Sequence, residues 1–300
     1  MEINIDELFE KQFERSIHFK NVFKNIDNVK TRKIEFDNFY YVLQFNPCRI
    51  GSATADTTKK VSSKECFLCE GHRFENQIGV EYNSNYDIFV NPFPIFKKHL
   101  TIVDKHHVEQ EILGQEDIMI EMAESLQGFT VFYNSRHSGA SAPFHRHFQA
   151  CSSYELPVFA QWNTLFFDEG KNVKKLSEQC VLKYDGTRYF FMIQTSDNLS
   201  AGENLKNILL RLKEVCQTVS PEANVGVTVE KGVYKIVIFP RSKHRPEEYF
   251  TQGEKHLTIS PGFADMAGII PCAVQEDYLK LNKDMIISVF NQVTLEVKTI

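Results

Sequence analysis

Apolar positions recur with helical spacing in some segments of the chain and alternate with polar positions in others. Ile5, Phe9, Phe13 and Ile17 form a stripe that predicts an amphipathic helix near the start. Helical spacing also occurs at residues 118–126 and 205–215. Segments that favour strands lie at residues 39–45, 99–103, 129–133, 145–151, 225–229 and 233–239. This mixture predicts an α+β fold of antiparallel sheets with flanking helices.

Turn signals divide the strands into hairpins. Asp185-Gly186 predicts a hairpin with a type I′ turn, because this pair accepts positive φ angles, and Lys231-Gly232 predicts another. Residues 99–107 weakly echo residues 235–244, since in each a strand ends in a Lys-His corner. The echo favours two similar halves, residues 1–155 and 156–300, of which only the first carries a His-x-His pair.

Composition limits the classes of function. Of the 300 residues 42% are apolar, so a sizeable core can form. The net charge of -5 with interspersed charges excludes a general attraction to nucleic acid or an anionic membrane, so an anion site must be local. No apolar run approaches the roughly 20 residues that span a bilayer, and residues 1–6 do not resemble a signal peptide. Seven scattered cysteines favour a reducing, cytoplasmic location over a disulfide framework.

The most informative segment is His145-Arg146-His147-Phe148-Gln149. In a strand, the period of two places His145, His147 and Gln149 on one face, where buried polar groups need a phosphate or a metal as partner. The small-residue turn at 134–141 precedes it and can form an anion-binding nest of backbone N–H groups, with the Ser141 hydroxyl as a further donor. A neutral imidazole beside such a turn suits attack on phosphorus. A purely structural His-x-His pair is the alternative.

Residues 134–149 resemble the signature of the histidine-triad superfamily in its transferase branch. That branch includes galactose-1-phosphate uridylyltransferase, diadenosine tetraphosphate phosphorylase and the GDP-hexose phosphorylases, whereas the hydrolase branches carry a third His where Gln149 stands. The resemblance implies two histidine-triad-like halves, a covalent nucleotidyl intermediate on His147, and phosphate oxygens held by Gln149. Because an amide does not titrate and cannot act as a general acid or base for an attacking water, phosphate or a hexose 1-phosphate becomes the favoured acceptor.

Further segments extend the resemblance across residues 40–155. Asn91-Pro92-Phe93-Pro94 and the strand from His99 match a family pattern in which the Asn position, Asn91, helps to hold the nucleotide, although Lys98 replaces the usual Gly. The segments at 243–246 and 265–268 resemble the phosphorylase-type members. We expect the phosphate to be held by Ser141, by Asn134 and by the backbone at Gly139 and Ala140. Arg49 could reach a phosphate or the base, or form an exposed salt bridge.

Cys66-x-x-Cys69 is a common half-site for zinc, and a tetrahedral site needs two further ligands. His107, at the end of a strand, and His145 are the candidates, and the uridylyltransferase group holds zinc with two histidines at these relative positions. His106 is the rival to His107, which is preferred because the family pattern reads Lys-x-His. Such a zinc ion would be structural. The alternative is a pair of reduced, buried thiols.

Together these observations predict a nucleotidyltransferase or phosphorylase that acts on a nucleoside diphosphate sugar or a dinucleoside polyphosphate. The acceptor would be phosphate or a sugar phosphate, and by resemblance the protein could be a homodimer. A nucleotide hydrolase of the same superfamily and a non-catalytic nucleotide-binding protein are the alternatives.

Overall fold

The structure is a computed structural model that describes residues 3–170 and 172–297, so the N-terminal prediction at Met1 and Glu2 lies outside the described residues. Its strands are β1 Lys30–Glu35, β2 Tyr40–Phe45, β3 Gly79–Glu81, β4 Tyr86–Val90, β5 His99–Asp104, β6 Phe129–Asn134, β7 His147–Ser152, β8 Val173–Lys175, β9 Cys180–Tyr184, β10 Tyr189–Thr195, β11 Ala223–Glu230, β12 Val233–Pro240 and β13 Ile269–Cys272. Its helices are α1 Ile5–Arg15, α2 Ile17–Ile26, α3 Ile50–Ala53, α4 Glu116–Ser125, α5 Pro157–Ala160, α6 Trp162–Phe166, α7 Asn198–Cys216, α8 Phe263–Met266, α9 Gln275–Lys280 and α10 Lys283–Val293. The predicted α+β class is confirmed.

A ten-stranded antiparallel sheet forms the centre of the molecule, in the order β3-β4-β5-β7-β6-β11-β12-β10-β9-β8. Its two five-stranded units, β3 to β7 and β8 to β12, repeat one strand order and meet where β6 pairs with β11. In each unit a helix follows the third strand along the chain and precedes the fourth: α4 lies between β5 and β6, and α7 lies between β10 and β11. The sheet therefore has the two similar halves that the sequence predicts.

The local echo that suggested this duplication joins strands that are not equivalent. Residues 99–103 lie in β5, the third strand from one edge, and residues 235–239 lie in β12, the fourth strand from the other edge. By position in the sheet, β5 corresponds to β10, and β12 corresponds to β7. The halves are related by their strand order, and the Lys-His alignment is wrong.

Two apolar clusters cover the faces of the large sheet. One contains α1, α2, α4 and α7 side chains, and the other contains the C-terminal helices and a small sheet of β1, β2 and β13, in which β13 pairs with β2 in parallel. In β7, Phe148 packs into the first cluster, so His147 and Gln149 face the second side. Within the described ranges, no helix combines the length and the apolarity that crossing a bilayer requires.

Capping side chains set the ends of several helices. Asn4 accepts a hydrogen bond from the N–H of Glu7 at the start of α1, and Asp197 accepts one from Ser200 at the start of α7. Ser16 is extended and ends α1, so the predicted N-terminal stripe is divided between two helices, and Ile17 is 69% exposed instead of buried. The stripe therefore predicted a helix correctly, but α1 ends at Arg15, before the last residue of the stripe.

The two predicted hairpins differ in their turns. Lys231 and Gly232 have φ angles of 52° and 76°, so this two-residue loop has the positive φ angles of a type I′ turn. At Asp185-Gly186 only the glycine has a positive φ, and the Asp185 carboxylate accepts hydrogen bonds from the N–H groups of Thr187 and Arg188. The hairpin is confirmed there and the type I′ turn is wrong, because the Asp side chain stabilises a longer loop.

Candidate active site and metal centre

A cavity of about 570 Å³ lies between the second face of the large sheet and the C-terminal segment at residues 258–271. The strands β6 and β7 form its floor. All eight residues that the sequence assigned to catalysis or substrate binding line this cavity, namely Arg49, Asn91, Asn134, Gly139, Ala140, Ser141, His147 and Gln149. The fold thus gathers them at one place from four separate segments.

His147, the first residue of β7, has 4% of its surface exposed. Its ring Nδ1 lies 2.8 Å from the backbone carbonyl of His145. Because a carbonyl only accepts hydrogen bonds, Nδ1 carries the proton, and Nε2 keeps a free lone pair in a residue that lines the cavity. Burial lowers the pKa of His147 to about 4, which favours the neutral ring. This arrangement suits a nucleophile.

Gln149 is oriented by a chain of two hydrogen bonds. The N–H of Ile95 donates to Nδ1 of His99 (3.1 Å), so the proton of this ring is on Nε2, which donates to Oε1 of Gln149 at 2.9 Å. Burial, followed by the Arg49 charge, lowers the pKa of His99 to about 3, so the ring is neutral. The amide of Gln149 therefore directs its NH2 group away from His99, where it can donate to a ligand.

The backbone at residues 139–141, here called the anion cradle, packs against the C-terminal segment. Gly139 has a φ of +95°, and a Cβ there would lie 2.5 Å from the Cα of Gly262. Asn134, the last residue of β6, accepts a hydrogen bond through Oδ1 from the N–H of Phe263 at 2.7 Å. The cradle and the C-terminal segment therefore meet backbone to backbone, which only glycine allows.

Two predicted contacts already have protein partners. The amide of Asn91 donates to the Thr101 hydroxyl (2.9 Å) and accepts from the N–H of Phe93 (2.8 Å), which fixes the turn after β4. Arg49 donates through Nη1 to the carbonyl of Phe93 at 2.8 Å. Among the described residues its partner is this carbonyl and not a carboxylate, so the structure does not support the salt-bridge alternative.

Asp265 brings a carboxyl group to the cavity wall. It accepts a hydrogen bond from the N–H of Gly262 at 2.9 Å and is 6% exposed. Burial raises its pKa to about 7, against the opposing effects of Arg241 and Arg49. Among the described residues that line the cavity, this is the only carboxylic acid, and Arg49 and Arg73 are the only permanent cations.

Four side chains near the cavity form a group that could bind a metal ion: Cys66, Cys69, His107 and His145. Their ligand atoms lie within 4.8 Å of one another, and the sulfur-to-nitrogen distances are 3.3, 3.4 and 3.5 Å. Tetrahedral zinc with ordinary bond lengths would separate its S and N ligands by about 3.6 Å. The geometry of these residues therefore fits zinc.

The two histidines also have the outer hydrogen bonds that metal ligands use. Nε2 of His145 donates to the carbonyl of Asp104 at 2.7 Å, and Nε2 of His107 donates to the carbonyl of Val61 at 3.2 Å. Each ring therefore turns an unprotonated Nδ1 towards the sulfurs. His106 is outside this group and lies beside the Asp104 carboxylate instead. Of the two rivals, the structure brings His107 to the cysteines.

The strand that carries His147 begins two residues later than the sequence predicts. β7 begins at His147, so His145 lies just before the strand, in the turn that precedes it. Its ring belongs to the cysteine group, and its backbone carbonyl is what contacts His147. The chain leaves the strand pattern here because residues 142–145 make a turn, with the N–H of His145 donating to the carbonyl of Ala142.

Sequence reasoning missed several residues that hold the site. Gln110 accepts from the N–H of His147 (2.8 Å) and donates to the carbonyls of His147 and Asn134, so it ties the ends of β6 and β7 together. Asn224 and Arg241, in the second half, contact Asn134 and the start of the cradle. A single Gln or Asn in a loop or a strand carries no pattern that could have revealed these contacts.

Comparison with known proteins gives a family match and a structural likeness. Residues 8–152 match a family described as a domain of unknown function, DUF4922. No curated protein matches the chain. The yeast Ap4A phosphorylase Apa2 in complex with AMP is similar at a TM-score of 0.64 and 18% identity, over 98% of this chain and 97% of that chain.

Two other structures of that enzyme agree. A crystal structure of yeast Ap4A phosphorylase Apa2 whose description names no ligand gives a TM-score of 0.62 at 17% identity, over 93% of this chain and 96% of that chain. The complex with Ap4A gives 0.60 at 16% identity, over 96% and 97%. The chain therefore has the same fold as the yeast Ap4A phosphorylase.

Proposed function

We propose that this protein is a nucleotidyltransferase that forms a covalent nucleotidyl intermediate on His147. The observation that carries the proposal is the hydrogen bond from Nδ1 of His147 to the carbonyl of His145, which leaves a lone pair on Nε2. His147 lines a cavity that is also lined by the anion cradle and by amide side chains, Asn134 and Gln149 among them. A nucleophile beside fixed donors is the arrangement that phosphoryl transfer requires.

The reaction has two displacements at one phosphorus atom. Nε2 of His147 forms a bond to the α-phosphorus of the donor, and the bond from phosphorus to the leaving phosphate oxygen breaks with its electron pair. An oxygen of the acceptor phosphate then forms a bond to the same phosphorus, and the P–N bond breaks and returns its pair to Nε2. The proton on Nδ1 stays at the His145 carbonyl throughout. Two inversions give net retention at phosphorus.

Phosphate is the acceptor that we favour, which makes the enzyme a phosphorylase. Gln149 offers a hydrogen bond to a phosphate oxygen but no proton for water, because an amide does not titrate near neutral pH. The yeast protein with the same fold is described as an Ap4A phosphorylase. A hexose 1-phosphate is the alternative acceptor, which would give a uridylyltransferase-type reaction.

The charge of the cavity favours a donor with few phosphates. Its two cations differ in availability, because Arg73 is occupied by the Leu68 carbonyl and lies over the Phe89 ring, whereas Arg49 has one carbonyl partner. Asp265, whose pKa is raised to about 7, adds no positive charge to the cavity and repels further negative charge whenever it is ionised. A nucleoside diphosphate sugar therefore fits this balance better than a tetraphosphate.

Zinc is the metal that we propose for Cys66, Cys69, His107 and His145. Four protein ligands leave no open position, so the ion would hold the fold locally and take no part in the reaction. Phe67 and Leu68, between the two cysteines, line the cavity. Zinc would thus fix part of the cavity wall.

The first half, residues 1–155, would carry the chemistry, and the second half, residues 156–300, would complete the substrate site. None of the seven cysteines forms a disulfide, which supports a cytoplasmic location. A homodimer stays a prediction from the resemblance.

A panel of donors tested with and without inorganic phosphate decides between this function and its rivals. ADP-, GDP- and UDP-hexoses and a dinucleoside tetraphosphate are incubated with the protein, and the products are separated. A phosphorylase releases a nucleoside diphosphate only when phosphate is present. Release of nucleoside monophosphate at the same rate without phosphate would instead identify a hydrolase, and tight binding without turnover would identify a nucleotide-binding protein.

A further inference from the structure

We infer that Arg241 and Asn224, in the second half of the chain, are positioning residues that orient the Asn134 amide and aim its NH2 group into the cavity. The purpose of that orientation, to hold a phosphate oxygen, rests on the proposed function. The three side chains are nearly inaccessible to solvent, with 1%, 0% and 7% of their surfaces exposed. Neither Arg241 nor Asn224 lines the cavity, so they would act through Asn134.

Arg241 fixes the orientation of Asn224. Its Nη1 lies 2.5 Å from Oδ1 of Asn224 and 2.8 Å from the carbonyl of Pro261, while its other nitrogens donate to the carbonyls of Val293, Lys243 and His244. A guanidinium has donors and no acceptor, so the atom of Asn224 that faces it must be the oxygen. The NH2 group of Asn224 then points the opposite way.

Asn224 and the C-terminal segment together fix Asn134. Nδ2 of Asn224 donates to Oδ1 of Asn134 at 2.7 Å and to the carbonyl of Ser138 at 2.6 Å. The N–H of Phe263 donates to the same Oδ1, also at 2.7 Å. Two donors hold this oxygen in place, so the reverse orientation would set Nδ2 of Asn134 against two N–H groups. The NH2 group of Asn134 is therefore directed away from both and towards the cavity that Asn134 lines.

This orientation matters because an amide presents either a donor or an acceptor to the same ligand. A donor held in advance costs no reorganisation when negative charge develops, and its removal typically lowers the rate about 100-fold to 1000-fold. A reversed amide would direct an oxygen at the phosphate oxygens and repel them. The second half thus contributes to the chemistry of the first through a chain of three side chains.

Asn224→Asp tests this chain while keeping the shape and the contact with Arg241. The new carboxylate still accepts from Nη1, and the added charge faces a buried cation, so the fold has reason to survive. The carboxylate cannot donate to Asn134 and repels its Oδ1, so the Asn134 amide should reverse and donate to the carboxylate, even though the N–H of Phe263 then loses its acceptor. If Asn224 only held Arg241 in place, the Asn224→Asp protein would have wild-type activity. If Asn224 positions Asn134, the variant should lose activity. Asn207→Asp, on the exposed side of α7, controls for the added charge.

Asn224→Asp also sets a carboxylate oxygen against the carbonyl oxygen of Ser138, which could lower the rate by moving the backbone. Two readouts are therefore needed to separate this effect from the reversal of the Asn134 amide. The first is the rate of adduct formation with α-³²P-labelled ADP-glucose, GDP-mannose and UDP-glucose, expected to fall about 100-fold with little change in Asn207→Asp. The second needs no ligand: in protein labelled with ¹⁵N-asparagine, hydrogen exchange of the Asn134 side-chain amide should slow about 10-fold in the variant, because that group turns to the carboxylate.

The outcomes separate this inference from the proposed function. Absence of any adduct in the wild-type protein would reject the function, while the amide exchange would still decide the orientation. A folded Asn224→Asp protein with unchanged amide exchange and an unchanged adduct rate would overturn the inference. If circular dichroism shows that this variant does not fold, Asn224→Ser takes its place. With a shorter donor to Asn134 it should lose about 10-fold in adduct rate, and a wild-type rate would likewise overturn the inference.

Discussion

Gly139 lies where the anion cradle meets the C-terminal segment, and a single methyl group there would separate the two. Its φ of +95° is a conformation that other residues rarely adopt, and the added Cβ would lie 2.5 Å from the Cα of Gly262 and 2.8 Å from the carbonyl oxygen of Pro261. All of these neighbours are backbone atoms, so no flexible side chain can move aside. Gly139→Ala must therefore displace one segment from the other.

The magnitude has two parts. The unfavourable φ costs about 1–3 kcal/mol of unfolding free energy. Real Cβ contacts essentially never fall under 3.0 Å, so relief of the clash needs a displacement of at least about half an ångström at the cradle. Misplacement by about 1 Å near a reacting group can lower a rate about 100-fold. We expect the adduct rate to fall by roughly that factor, with a loss of stability that leaves the protein folded.

Gly232→Ala is the matched control. Gly232 also has a positive φ, of +76°, but a Cβ there would meet no atom within 4 Å, and the residue lies in a hairpin turn away from the cavity. Urea unfolding should show a comparable φ penalty in both variants, and single-turnover labelling should show a rate loss only in Gly139→Ala. Equal adduct rates in the two variants would refute the importance of this contact.

Three further changes test other parts of the site. Cys66→Ser should lower the zinc content, measured by atomic emission, and the unfolding free energy more than the rate of the chemical step, because the ion would be structural; a wild-type protein that purifies without metal would reject the site. Asp265 has an ordinary pKa of 3.8 and a raised pKa of about 7 in the folded protein. At pH values between these two, the folded protein keeps the proton of this carboxyl group and the unfolded chain has lost it. The unfolding free energy should therefore fall as pH rises through this window, by up to about 1.4 kcal/mol per unit, and urea unfolding of Asp265→Asn should lack this slope; an unchanged slope would contradict the assignment. His99→Phe keeps a ring against Phe132 but removes the donor to Gln149, so single-turnover labelling should show a rate about 10-fold lower, whereas an unchanged rate would mean that Gln149 needs no such partner.

The residues that gather at the candidate site were predictable from sequence because each has few alternative uses. His-x-His before a Gln, after a Gly-Ala-Ser turn, limits the possible partners to anions or metals, and all eight predicted residues line one cavity. The cysteine pair and His107 come together as expected. His145 also joins them as expected, although it does so from the turn before β7 and not from within the strand.

The parts that sequence could not supply depend on distant segments of the chain. Hairpins are local, so Asp185-Gly186 and Lys231-Gly232 marked the positions of two turns. The order of the ten strands depends instead on the side chains that pack against both faces of the large sheet. The orientation of Asn134 depends on residues about 90 and 129 positions away in the chain. The clash at Gly139 involves Gly262, and no spacing rule links the two.

The central claim is that His147 forms a bond to phosphorus, and trapping that bond tests it most directly. Wild-type protein is mixed with an α-³²P-labelled nucleoside diphosphate hexose without phosphate, denatured at alkaline pH and digested, and the label is mapped by mass spectrometry. We predict one labelled peptide, modified at His147, that disappears when phosphate is added before denaturation and is absent from His147→Gly. Turnover by His147→Gly at the wild-type rate, or label on another residue, would contradict the account.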